Sequence, residues 1–459
     1  MSRKKYIDIP DHARRDFIKY AVGLGAALGL RPWQIFEVTE SVIGPAAAQS
    51  ASVSPVNRFV GNVMGNGGFA WMTQLFPFAD QATMAGKSFY KTGMATDQLV
   101  EAGDHPLKIG PDAPKFGGKK MTAFLCGQNE THTARPVSAS TVGTGVGMFA
   151  AVAALQTAAP TLVPAIGVGQ LPFGAAAGAP ALASVANPAG MVDLFNSASS
   201  TAGGALANAG DASLFEAYYK ANLSLHSAAS RPTLTRGYLT GKVAANLIGK
   251  NLASQLKPTA ADLTRYGVTG APAKLMAIAT TLITTVKAFK LNLTSSVIQP
   301  GMNDDPHGAF ADMATLTSTV ITLGKIWDAF MADLMAEPDP MTAGAKLGDN
   351  TVIAWVGDTF KTPNNPSGWG DGTAGNSNAL YVLGANQLRG GWFGQIKGDN
   401  TIETWNPTTG ANVPGGTPGP LAAPASAALL YAIAKGDMRR VQDFYRGAAI
   451  DGVVKPKNM

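Results

Sequence analysis

The fold follows from a short apolar run, Asn57-Arg-Phe-Val-Gly-Asn-Val-Met64, that ends at once in the turn Gly65-Asn-Gly-Gly68. Loose alternation closed by glycine is typical of a β-strand that leaves its sheet through a tight turn. Similar runs occur at Met121–Cys126, Asn350–Val356 and Ala379–Gly384. Short apolar runs of this kind predict strands buried in a mostly parallel sheet.

Helical spacing of apolar residues fills much of the chain between these runs. Asp312–Met335 is the strongest case, because its apolar residues recur at steps of three and four, marking one buried face. Further helices are predicted at 146–157, 214–225, 272–289, 422–434 and 437–445. Strands that alternate with helices predict an α/β fold, a mostly parallel sheet flanked by helices, with long Gly/Ala/Pro-rich loops.

Composition excludes several classes of protein. The chain is 46% hydrophobic, which supplies enough apolar surface for a sizeable core and argues against disorder. Its net charge of +6 is dispersed, so no nucleic-acid partner is expected. The single cysteine, Cys126, excludes an intramolecular disulfide and a cysteine-based zinc site, and we expect it to be a small buried apolar residue.

The first 48 residues have the features of an export signal. Arg14-Arg15 is followed by Phe17-Ile-Lys19, by the apolar stretch Tyr20–Leu30 and by small residues up to Ala48. This order predicts a twin-arginine signal peptide, residues 1–48, and therefore a periplasmic or secreted protein with one α/β domain over 49–459. An ordinary amphipathic first helix and an uncleaved membrane anchor are the alternatives.

Candidate chemistry lies just beyond the predicted strands, because ligands gather at the carboxyl ends of strands in open parallel sheets. Asp305 and His307 lie one residue apart before the long helix, and Asp358 follows the run that ends at Val356. These three side chains are the predicted ligands of one divalent metal ion, zinc, calcium or manganese. In the alternative interpretation Asp305 caps the helix, His307 bonds backbone and Asp358 caps its own loop.

Several segments together resemble the secreted, twin-arginine-signalled sulfatase-like proteins of unknown function in the alkaline phosphatase superfamily. Phe59–Pro77 is similar to that family's first strand and glycine-rich turn, and Asp305-Pro-His307 to its Asp-x-His before a long helix. Thr351–Pro363 is similar to a buried strand that ends in an acidic residue and Thr-Pro, and Leu380–Gly394 to a late strand with an Arg/Lys-Gly-Gly turn. His132 would match a histidine after the second strand; its alternative is a hydrogen-bonded polar residue. The resemblance implies a sulfatase-like fold.

The chain departs from the family pattern at two places. Phe69-Ala-Trp71 stands where the family has an aspartate, and Gly368–Asn378 contains Asp371 but no histidine. Superfamily chemistry uses two clustered metals held by several Asp and His residues. We therefore expect a degenerate metal site on a cell-envelope protein that binds a protein partner or self-assembles. The alternatives are a metal-dependent phosphate or sulfate ester hydrolase, and a membrane-anchored subunit of an envelope complex if the signal stays uncleaved.

Overall fold

The computed structural model describes residues 56–78, 80, 105–110, 112–196, 240, 243, 247, 252–361 and 370–456. The chain divides into two compact units, one of which comprises residues 53–188 and 258–459 and contains every sheet described below. Within the described ranges, no helix combines the length and the apolarity that a membrane crossing requires. The predicted signal peptide, residues 1–48, and the predicted helix 214–225 lie outside the described residues. The single domain over 49–459 stays a prediction.

The strands of the described residues form one large sheet and two small ones. In chain order they are β1 (Arg58–Met64), β2 (Met121–Gln128), β3 (Thr141–Gly143), β4 (Val146–Gly147), β5 (Ile166–Val168), β6 (Ala183–Val185), β7 (Ser296–Pro300), β8 (Thr351–Gly357), β9 (Ser377–Leu383), β10 (Gly391–Phe393), β11 (Gln395–Ile396), β12 (Ile402–Trp405) and β13 (Asn412–Pro414). The large sheet has the order β10-β2-β9-β8-β1-β7-β5-β6. The small sheets are the hairpin β3-β4 and the antiparallel β11-β12-β13.

Strand β9 is the one reversed member of the large sheet. It runs antiparallel to both neighbours, β2 and β8, whereas every other neighbouring pair is parallel. The predicted α/β class with a mostly parallel sheet is therefore confirmed. Because β9 is reversed, the loop that leads into it lies at the edge where the other strands end.

The helices of the described residues include those predicted at 146–157, 272–289 and 422–434, together with some that were not predicted. They are α1 (Ala70–Leu75), α2 (Met148–Gln156), α3 (Pro188–Asn196), α4 (Leu252–Leu256), α5 (Ala260–Arg265), α6 (Ala273–Lys290), α7 (Met313–Ala336), α8 (Ala422–Ile433) and α9 (Met438–Val441). The predicted long helix Asp312–Met335 is confirmed as α7, with Asp312 as its N-cap. The predicted helix 437–445 is shorter than expected.

Helices cover both faces of the central strands, which explains why these strands are continuous apolar runs. All seven residues of β1 and all seven of β8 are buried. On one face Phe59 of β1 packs on Phe149 of α2, with ring centroids 6.1 Å apart. On the other face Trp355 of β8 meets Trp327 of α7 at 5.0 Å. A strand that is covered on both faces has no solvent-facing positions, so its sequence does not alternate between apolar and polar residues.

Candidate metal centre

The turn after β1 brings two other strand-exit loops close to it. Gly67 has φ +83°, and a Cβ placed there would lie 2.8 Å from Cγ of Asp305, so glycine is required for the close approach. Its N–H donates to Oδ2 of Asp358 at 2.5 Å. The N–H of Gly65 donates to Oδ1 of Asn303 at 2.9 Å. The glycine turn therefore ties the exits of β7 and β8 to the exit of β1.

Four side chains converge in front of this turn: His132, Asp305, His307 and Asp371. Each offers one donor atom, and all four donor atoms lie within 4.8 Å of one another. Nε2 of His132 lies 3.2 Å from Oδ2 of Asp305 and 3.0 Å from Oδ1 of Asp371. Nε2 of His307 lies 2.9 Å from Oδ1 of Asp371 and 3.5 Å from Oδ2 of Asp305. We refer to these four residues as the ligand cluster.

Different elements of the sheet supply the members of the cluster. Asp305 and His307 follow β7, and a hydrogen bond of 3.0 Å from the His307 N–H to Oδ1 of Asp305 fixes their loop. His132 follows β2 with φ +57°. Asp371 lies before β9 and reaches the same edge because β9 is reversed. Its carbonyl accepts from Nδ2 of Asn129 at 2.7 Å, which anchors the Asp371 backbone.

A buried ammonium group lies against both carboxylates of the cluster. The side chain of Lys361 has no solvent exposure, and its Nζ donates to Oδ1 of Asp305 at 2.9 Å and to Oδ1 of Asp371. Lys361 follows β8 in a left-handed conformation, φ +61°, and its N–H donates to Oγ1 of Thr359 at 3.0 Å. The short exit loop of β8 therefore directs the lysine side chain toward the cluster.

The pKa values of Asp371 and Asp358 are shifted in opposite directions. Partial burial raises the pKa of Asp371, but hydrogen bonds from Lys361 and His132 outweigh it and hold the pKa at about 2. Asp371 is therefore ionised at neutral pH and available as a ligand. Burial raises the pKa of Asp358, opposed by backbone N–H donors that include Gly67.

Two of the three predicted ligands, Asp305 and His307, lie in the cluster. Asp358 lies outside the four and instead accepts from backbone N–H groups of Gly67 and Thr359, the second at 2.8 Å, as in the capping interpretation. His132, for which the sequence left both a site role and a hydrogen-bonded polar role open, also lies in the cluster. The sequence does not predict Asp371 as a ligand. Asp371 reaches the cluster only because β9 is reversed, and no local sequence pattern predicts the direction of that strand.

The donor set suits a transition metal ion better than calcium. Two imidazole nitrogens and two carboxylate oxygens are ligands that zinc and manganese accept, whereas calcium takes six to eight oxygens. The imidazoles are open to solvent, His132 at 43% and His307 at 41% of the side chain, so a small ligand can reach the cluster. The cluster could bind a metal ion, and its residues fit one.

Comparison with protein-family models, with curated proteins and with solved structures finds no match to this chain. The fold and the cluster define it as an α/β protein with a candidate divalent-metal centre at the carboxyl edge of its sheet.

Proposed function

We propose that this protein is a metal-dependent hydrolase of phosphate or sulfate esters, built on a sulfatase-like scaffold. The observation that carries the proposal is the convergence of His132, Asp305, His307 and Asp371 at a solvent-open carboxyl edge. Substrates of α/β proteins bind at this edge. The cluster holds four candidate ligands, one more than the sequence predicts, and this favours the hydrolase over a protein with a degenerate site.

The roles of the residues follow from their positions. His132, Asp305, His307 and Asp371 would hold the ion, which supplies a Lewis acid and lowers the pKa of a bound water. Lys361 holds the two carboxylates in place through charge-assisted hydrogen bonds. The open side formed by the imidazoles leaves room for an anionic ester, whose charge is complementary to that of the ion.

The direct test combines metal analysis with an activity assay on the full chain. After dialysis against zinc or manganese and removal of free ion, bound metal is measured by mass spectrometry, and hydrolysis of aryl phosphate and aryl sulfate is followed. We expect bound metal and activity in the native protein and loss of both, at least tenfold, in His307→Ala. The matched control is His105→Gln, because His105 lies outside the cluster and bonds the Trp392 carbonyl at 2.9 Å through Nδ1. Equal metal binding in native protein and His307→Ala would rule the proposal out.

A second candidate function, the binding or structural component with a degenerate site, is favoured by Lys361. Its ammonium already neutralises part of the carboxylate charge that a metal would otherwise balance. In that case the protein binds no stoichiometric metal, hydrolyses neither ester, and forms assemblies with itself or with a protein partner. Light scattering of the purified chain, together with the metal analysis above, distinguishes the two candidates.

We also propose export by the twin-arginine pathway to the periplasm or the exterior. The proposal rests on Arg14-Arg15 and the apolar stretch that follows. Mass spectrometry of the N-terminus of protein from the envelope fraction tests it. A start at Gln49 supports cleavage after Ala48, whereas an intact N-terminus in the membrane fraction supports the anchored subunit. Intact protein in the cytoplasm contradicts export.

A further inference from the structure

Asn66 is the one solvent-exposed residue in the first long stretch of the chain that the structure describes. Every other residue of 56–78 is buried, including the three glycines of the turn after β1. Asn66 has φ +55°, a left-handed conformation that asparagine tolerates better than most residues with a side chain. The glycine turn therefore exposes a single polar side chain at the carboxyl edge of the sheet.

Asn66 lies between two loops that carry members of the ligand cluster. Its N–H donates to the carbonyl of Thr133 at 3.1 Å, and Thr133 is the neighbour of His132. The next residue, Gly67, is so close to Asp305 that a Cβ on it would lie 2.8 Å from Cγ of that aspartate. The backbone of the turn therefore holds Asn66 next to the His132 loop and, through Gly67, next to the Asp305 loop.

The backbone donors of the turn are already used inside the protein. The N–H groups of Gly65 and Gly67 donate to side-chain oxygens of neighbouring loops, and the N–H of Gly68 donates to the Gly65 carbonyl at 3.0 Å. Among the residues that the structure describes, the side-chain amide of Asn66 has no hydrogen-bond partner. This amide is therefore the donor that the turn can offer to a ligand.

We propose that the side-chain amide of Asn66 donates a hydrogen bond to the tetrahedral oxyanion of a phosphate or sulfate ester bound at the cluster. This inference rests on the proposed function. The carboxylates of Asp305 and Asp371 repel an anion, so donors other than the ion contribute to holding it. An asparagine amide offers two N–H groups and does not titrate.

Anion binding by the metal-loaded full chain measures this contact without turnover. Isothermal titration calorimetry with inorganic phosphate, and separately with inorganic sulfate, gives the dissociation constants, and the tighter anion indicates which ester the site prefers. Asn66→Gly removes the amide and keeps the left-handed backbone, because glycine adopts positive φ freely. We expect its dissociation constant for the preferred anion, and its KM for the matching aryl ester, to rise about tenfold because a hydrogen bond to a charged group is lost.

A second variant separates hydrogen-bond donation from packing. Asn66→Asp keeps the size of the side chain and its tolerance of the left-handed backbone, but it replaces the donor with a negative oxygen. Its affinity for the anion should therefore fall further than that of Asn66→Gly. The matched control is Asn386→Gly, because Asn386 is also exposed, with φ +68°, but follows the reversed strand β9 at the opposite edge of the sheet. The control should bind metal and anion as the native chain does.

The outcomes distinguish this inference from the proposed function. Native anion affinity in Asn66→Gly or in Asn66→Asp would overturn the inference and leave the hydrolase proposal intact. An equal loss of affinity in Asn386→Gly would also overturn it, because the loss would then be a general effect of a more flexible turn. A native chain that binds no metal and hydrolyses neither ester would overturn both. If one variant of Asn66 does not fold, as judged by circular dichroism, the other decides the question.

Discussion

The amino end of β1 carries a fully buried ion pair, and we expect its disruption to be among the most destabilising single changes in the chain. Neither side chain of the Arg58–Asp339 pair has solvent exposure, and NH2 of Arg58 lies 3.2 Å from Oδ1 of Asp339. Burial lowers the pKa of Arg58 to about 10, and the charge of Asp339 opposes that shift. Asp339→Asn removes the opposing charge and keeps the shape of the side chain.

The expected loss can be worked out from the contacts that remain. The guanidinium keeps its bonds to Oδ1 of Asn292 and to the Thr294 carbonyl, both 2.9 Å, so it is not left wholly unpartnered. An uncompensated buried charge costs about 3–5 kcal/mol. The new amide also turns its NH2 toward a donor, because Nδ2 of Asn350 and the guanidinium both donate to Asp339. We therefore expect the free energy of unfolding to fall by about 3–5 kcal/mol.

Equilibrium urea unfolding followed by tryptophan fluorescence measures this loss. The matched control is Asp349→Asn, because Asp349 pairs with Lys119 at 3.1 Å and is 45% exposed. Its loss should be about 1 kcal/mol or less. A loss in Asp339→Asn no larger than in this control would refute the reasoning, because it would mean that solvent or a rearranged partner compensates Arg58.

Two further predictions concern pH and the glycine turn. Burial raises the pKa of Asp262, but a 2.7 Å bond from Lys287 and other donors outweigh it and hold it below its usual range. A carboxyl with a depressed folded pKa stabilises the protein fully above its unfolded pKa of about 3.9, and this stabilisation is lost progressively as pH falls from that value through the lower folded pKa. At pH 6 the thermal midpoint of Asp262→Asn should therefore lie below that of the native protein, and at pH 3 the difference between the two midpoints should be smaller. Equal differences at pH 6 and pH 3 would contradict this. Gly68→Ala would place a Cβ 1.7 Å from the Met302 carbonyl oxygen, so we expect the free energy of unfolding in urea to fall by about 1–3 kcal/mol. The control is Gly143→Ala, which should leave the free energy of unfolding nearly unchanged because the space around its Cβ is open. Similar unfolding curves for both variants would contradict the prediction, because they would show that the turn accommodates the added methyl group without loss of stability.

Local patterns were sufficient for the elements with long or continuous apolar signals. The predicted strands at Asn57–Met64 and Asn350–Val356 are confirmed as β1 and β8, and the long helix as α7. The apolar pattern of a helix or a buried strand lies in neighbouring residues, so it can be recognised without knowledge of the rest of the fold. Strands β5, β6 and β10 were not predicted, because three residues carry no periodicity.

The polar strand β7 was also missed, although it pairs with β1 at the centre of the sheet. Its sequence, Ser296-Val-Ile-Gln-Pro300, has only two apolar residues. The burial that stabilises it comes from pairing partners far away in the chain. Gln299, for example, is buried and donates to Oδ1 of Asn62 at 2.9 Å. Such partners are defined only after the sheet has formed.

The sequence by itself determined the α/β class, the order of the main elements and the loop that holds Asp305 and His307. Only the tertiary structure decided what stands opposite them. His132 and Asp371 lie 239 positions apart in the chain, yet Nε2 and Oδ1 are 3.0 Å apart. Their meeting requires the reversal of β9, and the contact with Lys361 requires the left-handed turn after β8. Strand direction follows from long-range pairing energy rather than from local sequence, so the cluster and its buried ammonium emerge only when the sheet is assembled.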